Sequence, residues 1–274
     1  MNSLLPIAQL QRARGGLRIS AQRVDGDVTR LKDFRQQGSF RAIFPRPICG
    51  NIEAVIINTA GGVTGGDQFT ADVTAGDAAK MSVTTQAAER IYRAVGPERG
   101  IVRTKLRAEK DAQLYWLPQE TILFDGARLD RSLVVDLHKS AKFLMVEPLV
   151  FGRDASGETL KSGALLDRVS ITSDGAPVYC DRIKLEGDIG GQLARRAVAN
   201  GAGAAASIVL VDQSAQSMLT AVRDLLPPMA GASLLSETVL VVRILAADSF
   251  ALRNTIFPIL TLLTDNAVPK NWRL

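Results

Sequence analysis

Residues 58–93 read NTAGGVTGGDQFTADVTAGDAAKMSVTTQAAERIYR, and the fold is decided inside this stretch. Two glycine pairs, Gly61-Gly62 and Gly65-Gly66, precede Asp67. Such pairs let the backbone take positive φ or approach another segment closely. Phe69 to Val73 then alternates apolar and polar, Ala75-Gly76-Asp77 makes a polar turn, and Met81, Val83 and Thr85 alternate again. Alternation on both sides of a turn reads as two strands.

The plan recurs. DVTAGDAAKMSVTT from Asp72, KLRAEKDAQLYWLP from Lys105 and VDLHKSAKFLMVEP from Val135 each give a strand, a polar turn and an alanine that opens the next strand. The marker alanines are Ala79, Ala112 and Ala141, spaced 33 and then 29 residues apart. A unit of this length suggests hairpins stacked as strand pairs along one elongated sheet or solenoid-like layer. Hairpins of any all-β protein also look alike, so the spacing alone leaves both readings open.

Working outward, Leu17–Ser20 and Val28–Leu31 alternate around Asp25-Gly26-Asp27, and Ser39–Phe44 is a short strand closed by prolines. Ala54–Asn58 is continuously apolar, as a strand buried on both faces requires. Leu117-PQETILFDGARL, with Pro118 and Asp125-Gly126, reads as an exposed excursion. Strands are expected at Leu166–Thr172, Pro177–Leu185, Ala205–Val211 and Glu237–Ala246. The Gly/Ala-rich segment 187–206 is either a loop or a weak helix. Two helices close the chain, Ser217–Leu226 stopped by Pro227-Pro228 and Ser249–Leu263 capped by Asp248. The expected fold class is therefore mainly β, elongated and solenoid-like, with two α-helices in the C-terminal third, as one domain over 1–274.

Composition narrows function more than it names it. Apolar residues are 46% and charged residues 22% of 274, which supports a sizeable core. Net charge is +5. Nine Arg or Lys lie before residue 47, against Asp25, Asp27 and Asp33. Aromatics are only 5% and do not interleave with the basic residues, so nucleic acid is not the expected partner. Cys49 and Cys180 form no metal or redox spacing, and two lone thiols point to a reducing cytoplasm. Neither the N-terminal MNSLLPIAQL nor Phe250–Leu263 is long and apolar enough for a signal core or a membrane span.

Several chemistries fail at the residues. A P-loop needs lysine after its last glycine, and Asp67 stands there instead. The dinucleotide fingerprint GxGxxG is replaced by GGxxGG ahead of a strand. His138 is the single histidine, so neither a Ser-His-Asp triad with a GxSxG elbow nor a common catalytic zinc site can be assembled. Carboxylates remain. Asp67, Glu89, Glu120, Asp125, Glu147 and Asp181 adjoin glycine, proline or apolar residues rather than charged runs. Each suits a turn, a cap or an ion pair, and an array of them lining a polar channel would pass a hard or borderline cation weakly.

Taken together, NTAGGVTGGD from Asn58, TTQAAERIYR from Thr84, WLPQETILFDGAR from Trp116, EPLVFGRDASGE from Glu147 and the weaker YCDRIKL from Tyr179 resemble the UreD (UreH) family of urease accessory proteins. Five blocks in order across 58–185 make this specific. Glu89-Arg90 stands where many members carry Thr-Lys, and Val63-Thr64 where Leu-Val is common. The resemblance implies a mainly β fold with two helices and no catalysis of its own. It implies binding to the urease apoprotein together with UreF, to the GTPase UreG through UreF, and to nickel supplied by UreE. It further implies a polar tunnel for nickel in transit, with no permanently bound cofactor. Asp67, Glu120, Asp125, Glu147 and Asp181 are the residues expected near that path. The competing expectation is a pure docking platform that nickel never enters.

Overall fold

The computed structural model describes residues 11–25, 27–46, 51–152 and 157–273. Cys49 and most of the Gly152–Glu158 motif therefore lie outside the described residues. In chain order the strands are β1 (Arg14–Val24), β2 (Val28–Gly38), β3 (Phe40–Ile43), β4 (Ile52–Asn58), β5 (Gln68–Ala75) and β6 (Lys80–Thr85). Then come β7 (Glu89–Ile91), β8 (Gly100–Ala108), β9 (Gln113–Leu117), β10 (Thr121–Leu123), β11 (Arg128–Leu137) and β12 (Lys142–Phe151). The last third holds β13 (Ala164–Ser173), β14 (Ala176–Glu186), α1 (Ile189–Ala194), β15 (Ala204–Val211), α2 (Ala215–Arg223), β16 (Ala230–Ser236), β17 (Val239–Ala246) and α3 (Ser249–Leu263).

The chain coils between two facing sheets. The first runs β14-β13-β11-β8-β5-β1-β2, and the second runs β16-β17-β15-β12-β9-β6-β4-β3. Each coil gives one strand to each sheet, so β5, β8 and β11 stack in parallel in the first while β6, β9 and β12 stack in parallel in the second. The architecture is mainly β and solenoid-like, as the recurrence suggests. One detail differs: β5 and β6 do not form a hairpin. The turn carries the chain from one sheet to the other, and each strand bonds its counterpart one coil away.

The near-repeat is the register itself. Met81 pairs with Leu114 and Leu114 with Phe143, the same 33- and 29-residue steps that separate the marker alanines. Each turn closes through the alanine N–H, to Gly76 O (2.9 Å), Glu109 O (3.1 Å) and His138 O (2.9 Å) in successive coils. Stacked coils then bond Gln113 N to Ala79 O and Lys142 N to Ala112 O, both at 2.8 Å. Only a small side chain fits the inside of such a turn, and all three alanines are buried. Met81, Leu114 and Phe143 follow as a fully buried column between the sheets, each contributing roughly 1.5–3 kcal/mol by leaving water.

The second sheet is the middle of three layers. Its strands alternate between two cores: Leu114, Trp116, Phe143 and Met145 face the first sheet, while Tyr115, Leu117, Leu144 and Val146 face the helices. Against that outer side pack α2 and α3. Helix α3 spans the expected residues, begins where the Asp248 carboxylate accepts Ala251 N–H (2.7 Å), and buries Leu252, Ile256, Ile259, Leu260 and Leu263. Helix α2 starts two residues before its expected position and ends at Arg223, ahead of the prolines. Within 187–206 the weak-helix alternative holds for six residues, α1, followed by turns. True hairpins close the ends, β1–β2, β13–β14 and β16–β17.

The glycine stretch is a tight bend between β4 and β5. A side chain at Gly62 would meet the Tyr92 ring at 2.3 Å and Arg90 O at 2.6 Å, and Gly66 holds φ +88° against the Arg12 side chain. Asp67, 4% exposed, ties the bend together. Its Oδ1 accepts Ala13 N–H and its Oδ2 accepts Thr64 N–H, both at 2.8 Å.

The expected exposed excursion after Leu117 is corrected. Gln119, Thr121 and Leu123 are buried, and β10 pairs in parallel with both β7 and β12. Pro118 and Asp125-Gly126 punctuate this segment, but Thr121 and Leu123, buried between the sheets, and Ile122, packed toward the helices, keep it in the sheet.

Candidate functional site

A break in the second sheet makes the polar interior. Two rungs are shared by three coils: Val83–Trp116–Met145, and beyond it Glu89–Thr121–Leu149. Between these rungs the successive coils take six, five and four steps (83 to 89, 116 to 121, 145 to 149). The surplus residues of the first two coils leave the ladder, as in a bulge. A cavity of about 80 Å³ opens there, lined by Thr85, Glu89, Trp116, Gln119, Arg131 and Glu147 among others. It is large enough for a few waters.

Three charges occupy inward positions that alternation reserves for apolar side chains. β11 presents Leu129, Arg131, Leu133 and Val135 inward; β13 presents Leu165, Asp167, Val169 and Ile171; β12 presents Phe143, Met145, Glu147 and Leu149. Arg131 and Asp167 are direct register partners. The guanidinium grips Asp167 with two bonds, Nε to Oδ1 at 3.0 Å and Nη2 to Oδ2 at 2.5 Å. Its Nη1 donates to Thr121 Oγ1 (3.0 Å) and lies 2.7 Å from Glu147 Oε2. Glu147 Oε1 accepts the Trp116 indole N–H at 2.7 Å, whereas Oε2 has the ion pair without a hydrogen bond.

One guanidinium thus serves two buried carboxylates. Burial raises the Glu147 carboxyl above the usual range and Asp167 adds to this, against the pull of Arg131 and Trp116. Burial opposes the Arg131 charge, but Asp167 and Glu147 outweigh it and hold the guanidinium firmly protonated. Glu89, bonded by Asn58 Nδ2 at 3.1 and 3.2 Å, is pushed by burial to about 7 despite that bond, with the Asp67 charge adding to the rise.

A second cavity, of about 200 Å³, lies beyond the cluster. Glu147, Asp167, Asp181, Ser207 and Arg243 form its polar end, and Ile183, Leu185, Leu193 and Val198 line the remainder. Glu147 borders both cavities, Arg131 faces the first and Asp167 the second, so the cluster stands as a charged septum between two chambers. Arg243 organises the second chamber, 2.6 Å from Asp181 Oδ2, donating to Ser207 Oγ (2.6 Å) and to Tyr179 Oη (3.1 Å).

Of the five expected residues, Glu147 and Asp181 meet at the second chamber. The other three border neither cavity. Asp67 holds the glycine bend. Glu120 pairs with Arg253 (3.1 Å), which also stacks over Trp272. Asp125 pairs with Arg93 (2.6 Å) and accepts Ser162 N–H (2.8 Å). Asp167 and Arg131 were missed, and their signal is legible: a charge at inward parity in a strand that otherwise alternates cleanly. Glu89, whose sequence neighbours do not set it apart from the other carboxylates, lines the first chamber. Among the described residues, no three His, Cys, Asp or Glu side chains gather as a metal-holding group, and no helix is long and apolar enough to cross a membrane.

Known proteins resemble the chain over nearly its whole length. A family model described as UreD urease accessory protein matches residues 13–273. The chain is 46% identical over 276 residues to a urease accessory protein UreD of Roseobacter denitrificans, covering 100% of this chain and 99% of that protein. It is 48% identical over 251 residues to one of Ruegeria pomeroyi, covering 91% and 97%, and 41% identical over 265 residues to one of Rhizobium rhizogenes, covering 96% of each.

Proposed function

Because the chain belongs to the UreD urease accessory protein family, we propose that it is a maturation scaffold that binds apo-urease with UreF and UreG and lets nickel cross it on the way into the urease active site. In this reading the chain catalyses nothing, UreG supplies the GTP hydrolysis, and UreE donates the nickel.

The observation that carries the transit reading is the septum of Glu147, Arg131 and Asp167 between two chambers. All its donors are oxygens apart from the guanidinium, and hard oxygen donors hold a borderline cation weakly enough to release it. Glu147 Oε2 is the atom best placed to receive the cation, since among the described residues it is buried, paired with Arg131 and accepts no hydrogen bond. A divalent cation reaching Oε2 competes with Nη1 for it, and the retained Asp167 grip keeps the guanidinium in place for return. Asp181, facing the same second chamber, is the next carboxylate along.

One observation favours the docking-platform reading. Each of the five expected carboxylates already has a partner, a backbone N–H or an arginine. Structural ion pairs produce the same arrangement. The discriminating experiment changes Asp67, Glu120, Asp125, Glu147 and Asp181 singly to Ala, recovers each variant with urease and UreF by pull-down, and measures nickel incorporation. Transit predicts loss of incorporation with intact assembly at Glu147 and Asp181. Unchanged incorporation at all five, with assembly intact, removes the transit reading and leaves the platform.

A further inference from the structure

Parallel sheets built from βαβ units are covered on both faces because each crossover lays a helix on them, whereas coils that pass from sheet to sheet leave the outer faces to be covered by other elements. Here α2 and α3 pack on the second sheet, α1 sits at the end of the first sheet beside β14 with Ile189 and Leu193 in the core between the sheets, and among the described residues nothing covers the outer face of the first sheet. Strand register fixes what it displays. One row across the strands reads Arg35, Arg18, Asp72, Lys105, Val134, Ser170 and Cys180. Its neighbour reads Gln37, Gly16, Thr70, Arg103, Ser132, Arg168 and Arg182.

Counting every outward position of the sheet gives eleven basic residues, the others being Arg14, Arg30, Arg107, Arg128 and Lys184, against Asp33, Asp72, Asp130, Asp136 and Glu186. The excess of six is as large as the chain's whole net charge of +5. The register of β1 against β2 shifts at Ser20/Ala21. Beside this hairpin a trough of about 1060 Å³ and an adjoining slot of about 350 Å³ lie on the face. Arg18, Arg35 and Lys105 border both, with Asp72 between them. Arg18 and Asp72 are 3.8 Å apart and exposed, a pair that contributes little and is readily exchanged for an outside partner.

We infer that this face is a docking surface for an acidic segment of a partner protein, laid along the strands over Arg18, Arg35, Arg103 and Lys105. Charge complementarity selects an acidic occupant. The interspersed aspartates select a polypeptide, since one lysine or arginine can answer Asp72, whereas an unbroken phosphate backbone is repelled by every one of them. No aromatic side chain stands among these outward positions to stack a base. Four successive rows span roughly 20 Å, the length of about six extended residues. This assignment does not depend on nickel transit.

The test measures binding of a fluorescent octaglutamate peptide to the full chain by anisotropy at low salt. The comparisons are a single-stranded octadeoxythymidylate and the double variants Arg18→Glu/Lys105→Glu and Arg195→Glu/Arg196→Glu. The second pair is exposed and off the face, so it alters net charge equally. The expected result is peptide binding weakened at least tenfold by the first double variant and less than twofold by the second, with the oligonucleotide bound more weakly than the peptide. Absence of peptide binding, equal loss in both variants, or tighter binding of the oligonucleotide each overturns the inference. Unchanged circular dichroism and melting of Arg18→Glu/Lys105→Glu exclude misfolding, and the single Lys105→Gln, expected to weaken binding by several-fold, gives the same reading should the double variant not fold.

Discussion

Glu89 is the side chain whose charge the fold controls most directly. Its carboxyl is raised from 4.5 to about 7, so the folded protein holds a proton that the unfolded chain has already released. The stabilisation from that proton is complete below about pH 4.5 and is lost as pH rises through 7, amounting to about 3 kcal/mol. Urea unfolding at pH 5 and pH 8 should show this slope, and Glu89→Gln should flatten it and unfold at higher urea than the native chain at pH 8. An unchanged slope means Glu89 ionises freely. Arg131 carries the opposite sensitivity. Arg131→Met leaves Glu147 and Asp167 buried without a counter-charge, a loss of about 3–5 kcal/mol readable as a lowered urea midpoint. Site residues were legible in the sequence to the extent that strand parity was used. Choosing carboxylates by glycine, proline or apolar neighbours finds Glu147 and Asp181 but also Asp67 and Asp125, whose oxygens hold turns. Asking which charges fall at inward parity finds Arg131, Asp167 and Glu147 together.

At the scale of elements, the stacked turns and the column behind them are the frame on which the septum hangs. Leu114 sits in the centre of the Met81–Leu114–Phe143 column with no exposure, so Leu114→Ala should cost about 2–5 kcal/mol in chemical denaturation. Asp248→Ala removes the cap of α3 and should cost only about 1 kcal/mol. Equal losses for the two would mean that helix docking, and not the coil column, dominates stability. The spacing of Ala79, Ala112 and Ala141 was readable because every coil closes with the same turn. The partner of each strand was not, since a hairpin and a turn between sheets have the same local pattern and differ only in which distant strand supplies the bonds. The segment after Leu117 misled for a related reason: proline and Asp-Gly mark a break in the ladder, and this break is interior. It is also the break that opens the first chamber.

Across the whole molecule, three layers divide the work. Helices α2 and α3 cover one side of the second sheet, the space between the sheets holds two chambers joined at Glu147, and the outer face of the first sheet, bare among the described residues, carries a basic excess as large as the chain's net charge. A partner docked on that face and a cation passing between the sheets act on opposite sides of the same strands, β8, β11 and β13. The septum of Glu147, Arg131 and Asp167 carries the transit reading. Its most direct test is the nickel content of urease recovered after activation with Glu147→Gln, a substitution that keeps the volume and an acceptor for Trp116 but removes the charge. The complex with urease and UreF should assemble in native proportion, while nickel per urease active site should fall several-fold below that obtained with the native chain. Native nickel content from a fully assembled Glu147→Gln complex contradicts the claim.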